Sequence, residues 1–289
     1  MGNKIKIITD TGCDLDSTWL KENNVEVVKF GLVIDNEEYE GETGREYGIE
    51  DFYARMVNGA MPKTNQINPY AAKEHIEPFV KDGYDVLYVS FSSGLSGSYA
   101  SVKSAIDELK ETYNNKMYVV DSLCASLGEG LFLDYIVRYM KEGKSFEEIV
   151  EYAESIKMSM CHVVAVDDLF HLKRGGRVSG ASAMLGTLLG IKPVLHVNNE
   201  GKLVAIDKVR GRLSSLKRLY KLFLENGDVT DEDPIFISHG NCIDDVMKLK
   251  EMIQASHPNN RIYINYIGPI IGSHAGQGTV ALFYKGTKR

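Results

Sequence analysis

Small hydroxyl and amide side chains gather in two stretches of this chain. The first is Ser92-Ser-Gly-Leu-Ser-Gly-Ser98. It follows the apolar run Val86-Leu-Tyr-Val89 and leads into Tyr99, Val102, Ala105, Ile106, Leu109 and Tyr113 at helical spacing. This reads as buried strand, polar turn and first helical turn, which places backbone N–H groups and hydroxyls at the positive end of a helix. Such a turn attracts a phosphate or a carboxylate, and it serves equally well as a plain serine cap. It is not a Walker loop, because no Gly-Lys-Ser/Thr follows. Nor is it a nucleophile elbow, because Gly94-Leu-Ser96-Gly-Ser98 lacks the final glycine. The second stretch is Thr64-Asn-Gln66, held extended between Pro62 and Pro69. Thr64 and Asn65 are donors suited to the same anion. Arg174 and Arg177, in Leu172-Lys-Arg-Gly-Gly-Arg177, and Arg210 can each grip a carboxylate or phosphate through two parallel bonds, although a solvated surface position is favoured for Arg174. His274 lies in a glycine-flanked turn, Gly272-Ser-His-Ala-Gly276.

These groups need a frame. Up to about residue 158 the chain alternates strand and helix, which predicts a Rossmann-like parallel sheet. Lys4–Ile8, Val25–Ile34, Val86–Val89 and Met117–Ser122 read as strands, and Ser145-Phe-Glu-Glu148 is a capping box. Thr9-Asp-Thr-Gly-Cys-Asp14 ends the first strand, which puts Asp10 and Thr11 where open α/β sheets gather ligand groups, although Asp10 or Asp14 is expected to cap the helix that follows rather than touch a ligand. Beyond residue 160 the pattern changes. Pro193–Val197 and Lys202–Val209 read as an antiparallel hairpin, Ala181–Gly190 as a small apolar helix, and Gly268–Gly278 as a turn between the last two strands. The expected fold class is therefore α/β. Residues 1–160 form a Rossmann-like domain, and residues 161–289 form an α+β domain with a mainly antiparallel sheet.

Composition bounds the function. The chain has 289 residues, 44% hydrophobic and 25% charged, as in ordinary globular proteins. A net charge of −7 argues against nucleic-acid binding. Cys13, Cys124, Cys161 and Cys242 form no C-x-x-C pair, so reduced thiols and no metal site are expected. No run is apolar enough to span a membrane and no signal segment opens the chain, so a cytoplasmic protein is expected.

Several motifs then coincide in order and spacing. Ile8-Thr-Asp-Thr-Gly-Cys-Asp-Leu15, Lys63-Thr-Asn-Gln66, Ser92-Ser-Gly-Leu-Ser-Gly-Ser-Tyr99, Leu172–Arg177, Lys208-Val-Arg210 and Ile267-Gly-Pro-Ile-Ile-Gly-Ser-His274 together resemble the DegV family across essentially the whole chain. Asn65 stands where the family has Ser, and Ile67 where it has Pro, which implies retuned carboxylate contacts. The resemblance implies a long-chain fatty acid buried between two domains. It also implies a non-catalytic role as the acyl-carrying partner of a separate ATP-dependent fatty acid kinase subunit, which makes acyl phosphate. No cofactor is implied.

On that reading Thr64, Asn65, Ser93, Ser96 and His274 bind the fatty acid, with Thr64 and Ser93 touching the carboxylate. Ser96 is equally well a helix cap. Arg210 and Arg177 neutralise charge there or face the kinase. Leu185, Leu188, Leu189, Ile191, Ile270 and Ile271 line a tunnel or serve as ordinary core. The chemistry agrees: burying about 15 methylenes at about 0.8 kcal/mol each gives on the order of 12 kcal/mol before binding costs, and the buried carboxylate then needs donors. Two other classes stay open. One is a stand-alone enzyme on a small phosphorylated metabolite. The other is a serine hydrolase using Ser96 and His274, for which the sequence offers no clear acidic partner.

Overall fold

A computed structural model describes residues 4–40, 48–167, 169–178, 190–287 and 289. The first strand, β1 (Lys4–Asp10), lies between β2 (Val25–Val28) and β6 (Tyr84–Ser90), and β7 (Met117–Asp121) completes a four-stranded, all-parallel sheet of order β2-β1-β6-β7. Its strands are apolar on both faces because both faces are covered. Ile8, Val86 and Tyr88 pack under helices α3 (Pro69–Lys81) and α4 (Ser98–Thr112). Ile7, Leu87 and Val89 point the other way, towards α5 (Leu127–Lys141). Helices α1 (Ser17–Glu22), α2 (Ile49–Val57) and α6 (Phe146–Ile156) complete this half, α6 opening on the expected capping box at Ser145.

The second large sheet follows residue 159. It has six strands of order β10-β9-β8-β13-β11-β12: β8 (Met160–Ala165), β9 (Ile191–Val197), β10 (Leu203–Arg210), β11 (Ile235–His239), β12 (Ile262–Tyr266) and β13 (Val280–Lys285). All pairings are antiparallel except β11 with β12. Alternation divides its side chains. Cys161, Val163, Ala165, Leu282 and Tyr284 pack with α8 (Arg212–Asn226) and α9 (Ile243–Ser256), while Val164, Leu195, Phe236, Ala281 and Phe283 join the cluster around α5. Helix α5 is thus the layer shared by both sheets. Its residues from Leu127 to Val137 are all buried, as befits a helix covered on every side.

Some expected elements differ. The single strand 25–34 breaks at Lys29-Phe30. Its second half, β3 (Gly31–Ile34), belongs to a third, antiparallel sheet of order β4-β3-β5, with β4 (Glu37–Glu40) and β5 (Lys63–Asn65). The polar stretch at Thr64 is therefore a strand, with Thr64 opposite Leu32. The basic glycine turn begins as a short helix, α7 (Phe170–Gly175), ended by Gly176 at φ 69°. The turn holding His274 is also helical. Pro269 begins α10 (Pro269–Ala275), and its fixed φ suits a first helical position. The expected helix 181–190, with Leu185, Leu188 and Leu189, lies outside the described residues apart from Gly190. Among the described residues no helix is long and apolar enough to cross a membrane, and no group of three or more His, Cys, Asp or Glu is arranged to hold a metal ion.

Candidate functional site

A cavity lies on the α5-facing side of the six-stranded sheet, with about 810 Å³ of space free of atoms, its mouth included. Strand register builds its floor: His162 stands opposite Phe283, Val164 opposite Ala281, and Val197 opposite Leu203. The walls are Phe30, Phe91, Leu95, Ile267, Ile270 and Ile271. Phe30 and Phe91 meet edge to face with centroids 5.8 Å apart. Buried polar groups of the Thr9–Asp14 stretch hold this pair: Asp10 accepts the N–H of Phe91 at 3.0 Å, and the Thr11 hydroxyl accepts that of Phe30 at 3.1 Å. Asp10 was expected to cap a helix. It caps only the short turn Thr11–Cys13, through Gly12 N–H, and its second oxygen shapes the cavity wall.

Part of the polar lining forms one cluster. Thr64 Oγ1 and His274 Nε2 lie 2.8 Å apart, joining β5 to α10. Gly175 of α7 passes so close to the ring that a Cβ there would sit 2.2 Å from His274 Nδ1. Arg177 donates to the Gly175 carbonyl and, at 3.4 Å, to that of Leu95. Arg174, expected as a solvated surface arginine, donates at 3.1 Å to both Pro62 and Ser273 carbonyls, tying the strand of Thr64 to the helix of His274. Its planar fork suits two acceptors at once.

Protonation at this pole follows from burial. Desolvation first, then the charges of Arg177, Arg174 and His171, push the His274 pKa down to about 4. The imidazole is neutral at pH 7, and its buried Nδ1 has no partner among the described residues. A neutral Thr–His pair carries two polar hydrogens and uses one in its own bond. Whichever tautomer is present, one donor remains: Nδ1–H if Thr64 donates, the Thr64 hydroxyl if His274 donates. The pair is an acceptor-seeking group in the lining of a largely apolar cavity.

The remaining expected residues are spread out. Ser96 lines the cavity; its hydroxyl accepts the Ser98 N–H at 3.2 Å and lies 2.9 Å from the Ser98 hydroxyl, which in turn accepts the Ile67 N–H. It is cap and wall together. Asn65 and Ser93 are exposed and do not line the cavity. The Ser93 N–H donates to Asp121 at 3.1 Å. Much of the serine loop docks the β9–β10 hairpin: Ser92 donates to the Gly201 carbonyl at 2.7 Å, and a Cβ on Gly94 would meet the Glu200 carbonyl at 2.4 Å. Arg210 is exposed at the end of β10, away from the cavity lining. Ile191 opens β9 and does not line the cavity, whereas Ile270 and Ile271 do. The sequence reading missed Phe30, Phe91, Ser126 and His162. For His162 the signal was available, since strand alternation puts it on the face of Val164.

Fold and site define a three-sheet α/β protein with a largely apolar cavity lined in part by a neutral threonine–histidine pair. Comparison with known proteins agrees. Residues 4–286 match the family model described as "Uncharacterised protein, DegV family". A DegV domain-containing protein of Clostridium perfringens is 41% identical over 284 residues, covering 98% of each chain. Among solved structures, a Thermus thermophilus DegV family protein described by its fatty acid binding is 28% identical, with a TM-score of 0.88 over 98% of this chain and 99% of that one. A fatty acid binding DegV family protein of Streptococcus agalactiae is 29% identical, with a TM-score of 0.87 over 99% of this chain and 100% of that one. This chain belongs to the DegV family.

Proposed function

We propose that this protein binds a long-chain fatty acid in the cavity, between lobes 1–160 and 161–289, and presents its carboxylate to a separate ATP-dependent kinase subunit that forms acyl phosphate. The observation that carries the reading is the Thr64–His274 pair, a neutral group with one donor to spare, placed on an apolar cavity. The described fatty acid binding of the Thermus and Streptococcus relatives supports it. Thr64, Ser96 and His274 are assigned to the head-group pole, with Arg177 beside them. Asn65 and Ser93 are assigned to its outer rim, and Arg210 to the partner's side. No cofactor is assigned. Catalysis is left to the kinase: the hydroxyl at His274 belongs to Thr64 rather than Ser96, and no carboxylate among the described residues orients the imidazole as a hydrolase triad requires. A phosphorylated metabolite fits less well, since Arg177 is the only Lys or Arg among the described lining residues. A cytoplasmic location belongs to the same proposal.

Mass spectrometry of an organic extract of freshly purified protein tests the reading. A fatty acid of about sixteen to eighteen carbons is expected, a length at which methylene burial dominates affinity. Acyl phosphate is expected only when a kinase subunit and ATP are added. Protein that emerges without lipid and takes up no palmitate overturns it.

A further inference from the structure

We infer that Asp14, which lies outside the cavity lining, is the positioning residue that sets α10 and with it the His274 imidazole. The inference rests on reading Thr64 and His274 as the head-group site. Asp14 follows the turn after β1, at φ 55°, and is fully buried. Its Oδ1 accepts the N–H of Gly268 at 2.9 Å, its Oδ2 accepts the Ser126 hydroxyl, and its backbone carbonyl accepts Asn265 Nδ2 at 2.8 Å. Gly268 is the residue from which α10 starts, and it has no side chain with which to cap that helix. The N–H of that entry residue is held instead by a carboxylate more than two hundred residues earlier in the chain. Tyr53 steadies the same entry by donating to the Ile267 carbonyl at 2.9 Å. His274 follows six residues after Gly268 in a short helix, about 9 Å along its axis. A displacement of the start therefore reaches the ring with little loss.

The second arm of Asp14 is as informative. Ser126 lines the cavity at φ 56°, ψ −146°, a conformation that costs energy for any residue but glycine. Its hydroxyl, 2.9 Å from that of Ser238 and donating to Asp14, holds it there. One carboxylate thus fixes both the helix that carries the imidazole and a strained residue of the cavity wall. An ionised carboxylate suits the task because it offers an acceptor to each of two donors. Burial pushes its pKa up to about 7, against the pull of the Ser126 and Gly268 bonds.

Three variants test this, each read by palmitate affinity, thermal melting and the ¹⁵N signals of the His274 ring in the ligand-free full chain. Asp14→Ala is expected to weaken palmitate binding about tenfold and to shift the His274 signals. Asp14→Asn, whose amide oxygen still accepts from Gly268, is expected to restore the His274 signals and most of the affinity. Gly268→Pro removes the donor itself at a backbone angle proline accepts, φ −66°, and is expected to shift the ring as Asp14→Ala does. A folded Asp14→Ala or Gly268→Pro protein with unmoved His274 signals overturns the inference, even if palmitate still binds. Should the wild type bind no palmitate, the functional reading fails, while the ring signals still judge the role of Asp14.

Discussion

At the scale of the residue, His274 works as a hydrogen-bond donor or acceptor and not as a charge. Burial and the two arginines oppose a second proton, so at pH 7 the ring gives direction to a carboxylate without neutralising it. Direction requires that the ring be held, and Gly175 does this by offering a surface with no side chain. Gly175 ends α7 and has no positive φ, so alanine suits its backbone and gains about 1 kcal/mol of helix propensity. The new Cβ, however, would sit 2.2 Å from His274 Nδ1. Gly175→Ala is therefore expected to lower palmitate affinity about tenfold or more, with little change in melting temperature. Isothermal titration beside a thermal melt checks it, and full affinity in a folded variant contradicts the close approach. The sequence names Thr64, Ser96 and His274 because hydroxyls and a lone histidine announce themselves by type. It does not reveal Gly175 as a contact, because a glycine's closeness to a distant ring leaves no mark in its own neighbourhood.

At the scale of the element, the long strands and helices are legible because each has a sustained period. The strands of the parallel sheet, the capping box at Ser145 and the β9–β10 hairpin stand close to where their patterns put them. Helices α7 and α10 are not legible as helices. Each is short and glycine-bearing, so neither completes an apolar period, and local composition reads as turn. Helix α5 shows a different gap. Its register is plain, but its burial on every side becomes visible only when both sheets are present. That burial depends on small residues where the sheets come close. A Cβ on Gly128 would meet His162 Nε2 at 2.0 Å, and the same nitrogen accepts the Ala125 N–H at 3.2 Å. Gly128→Ala is expected to destabilise the fold by about 1–3 kcal/mol, the usual cost of overpacking, despite alanine's better helix propensity. Urea denaturation measures it, and the cost should shrink when His162→Ala clears the space. An equal cost in both backgrounds would locate the strain elsewhere.

At the scale of the whole molecule, the interior between the sheets holds protons that an unfolded chain releases. Thr9 has one hydroxyl proton, yet its Oγ1 lies 3.0 Å from the Val89 carbonyl and 3.0 Å from Glu129 Oε1. The hydroxyl points to both acceptors and shares its one proton between the Val89 carbonyl and the Glu129 carboxyl. Glu129 lies fully buried in the first turn of α5. Burial, and then the nearby charge of Asp10, raise its pKa well above the usual carboxylate range. The sign follows. Above about pH 4.5, where the unfolded group ionises, the native state keeps a proton that the unfolded state has lost, so this group's contribution to stability falls as pH rises. Glutamine fills the same place, its amide oxygen accepting from Thr9, with no titratable proton. The stability of Glu129→Gln relative to wild type is thus expected to grow from about pH 5 to about pH 8, at up to about 1.4 kcal/mol per unit while Glu129 stays protonated in the fold. Urea titrations of both proteins across that range give the difference directly. A difference that does not change with pH would mean that Glu129 is ionised in the native protein across that range.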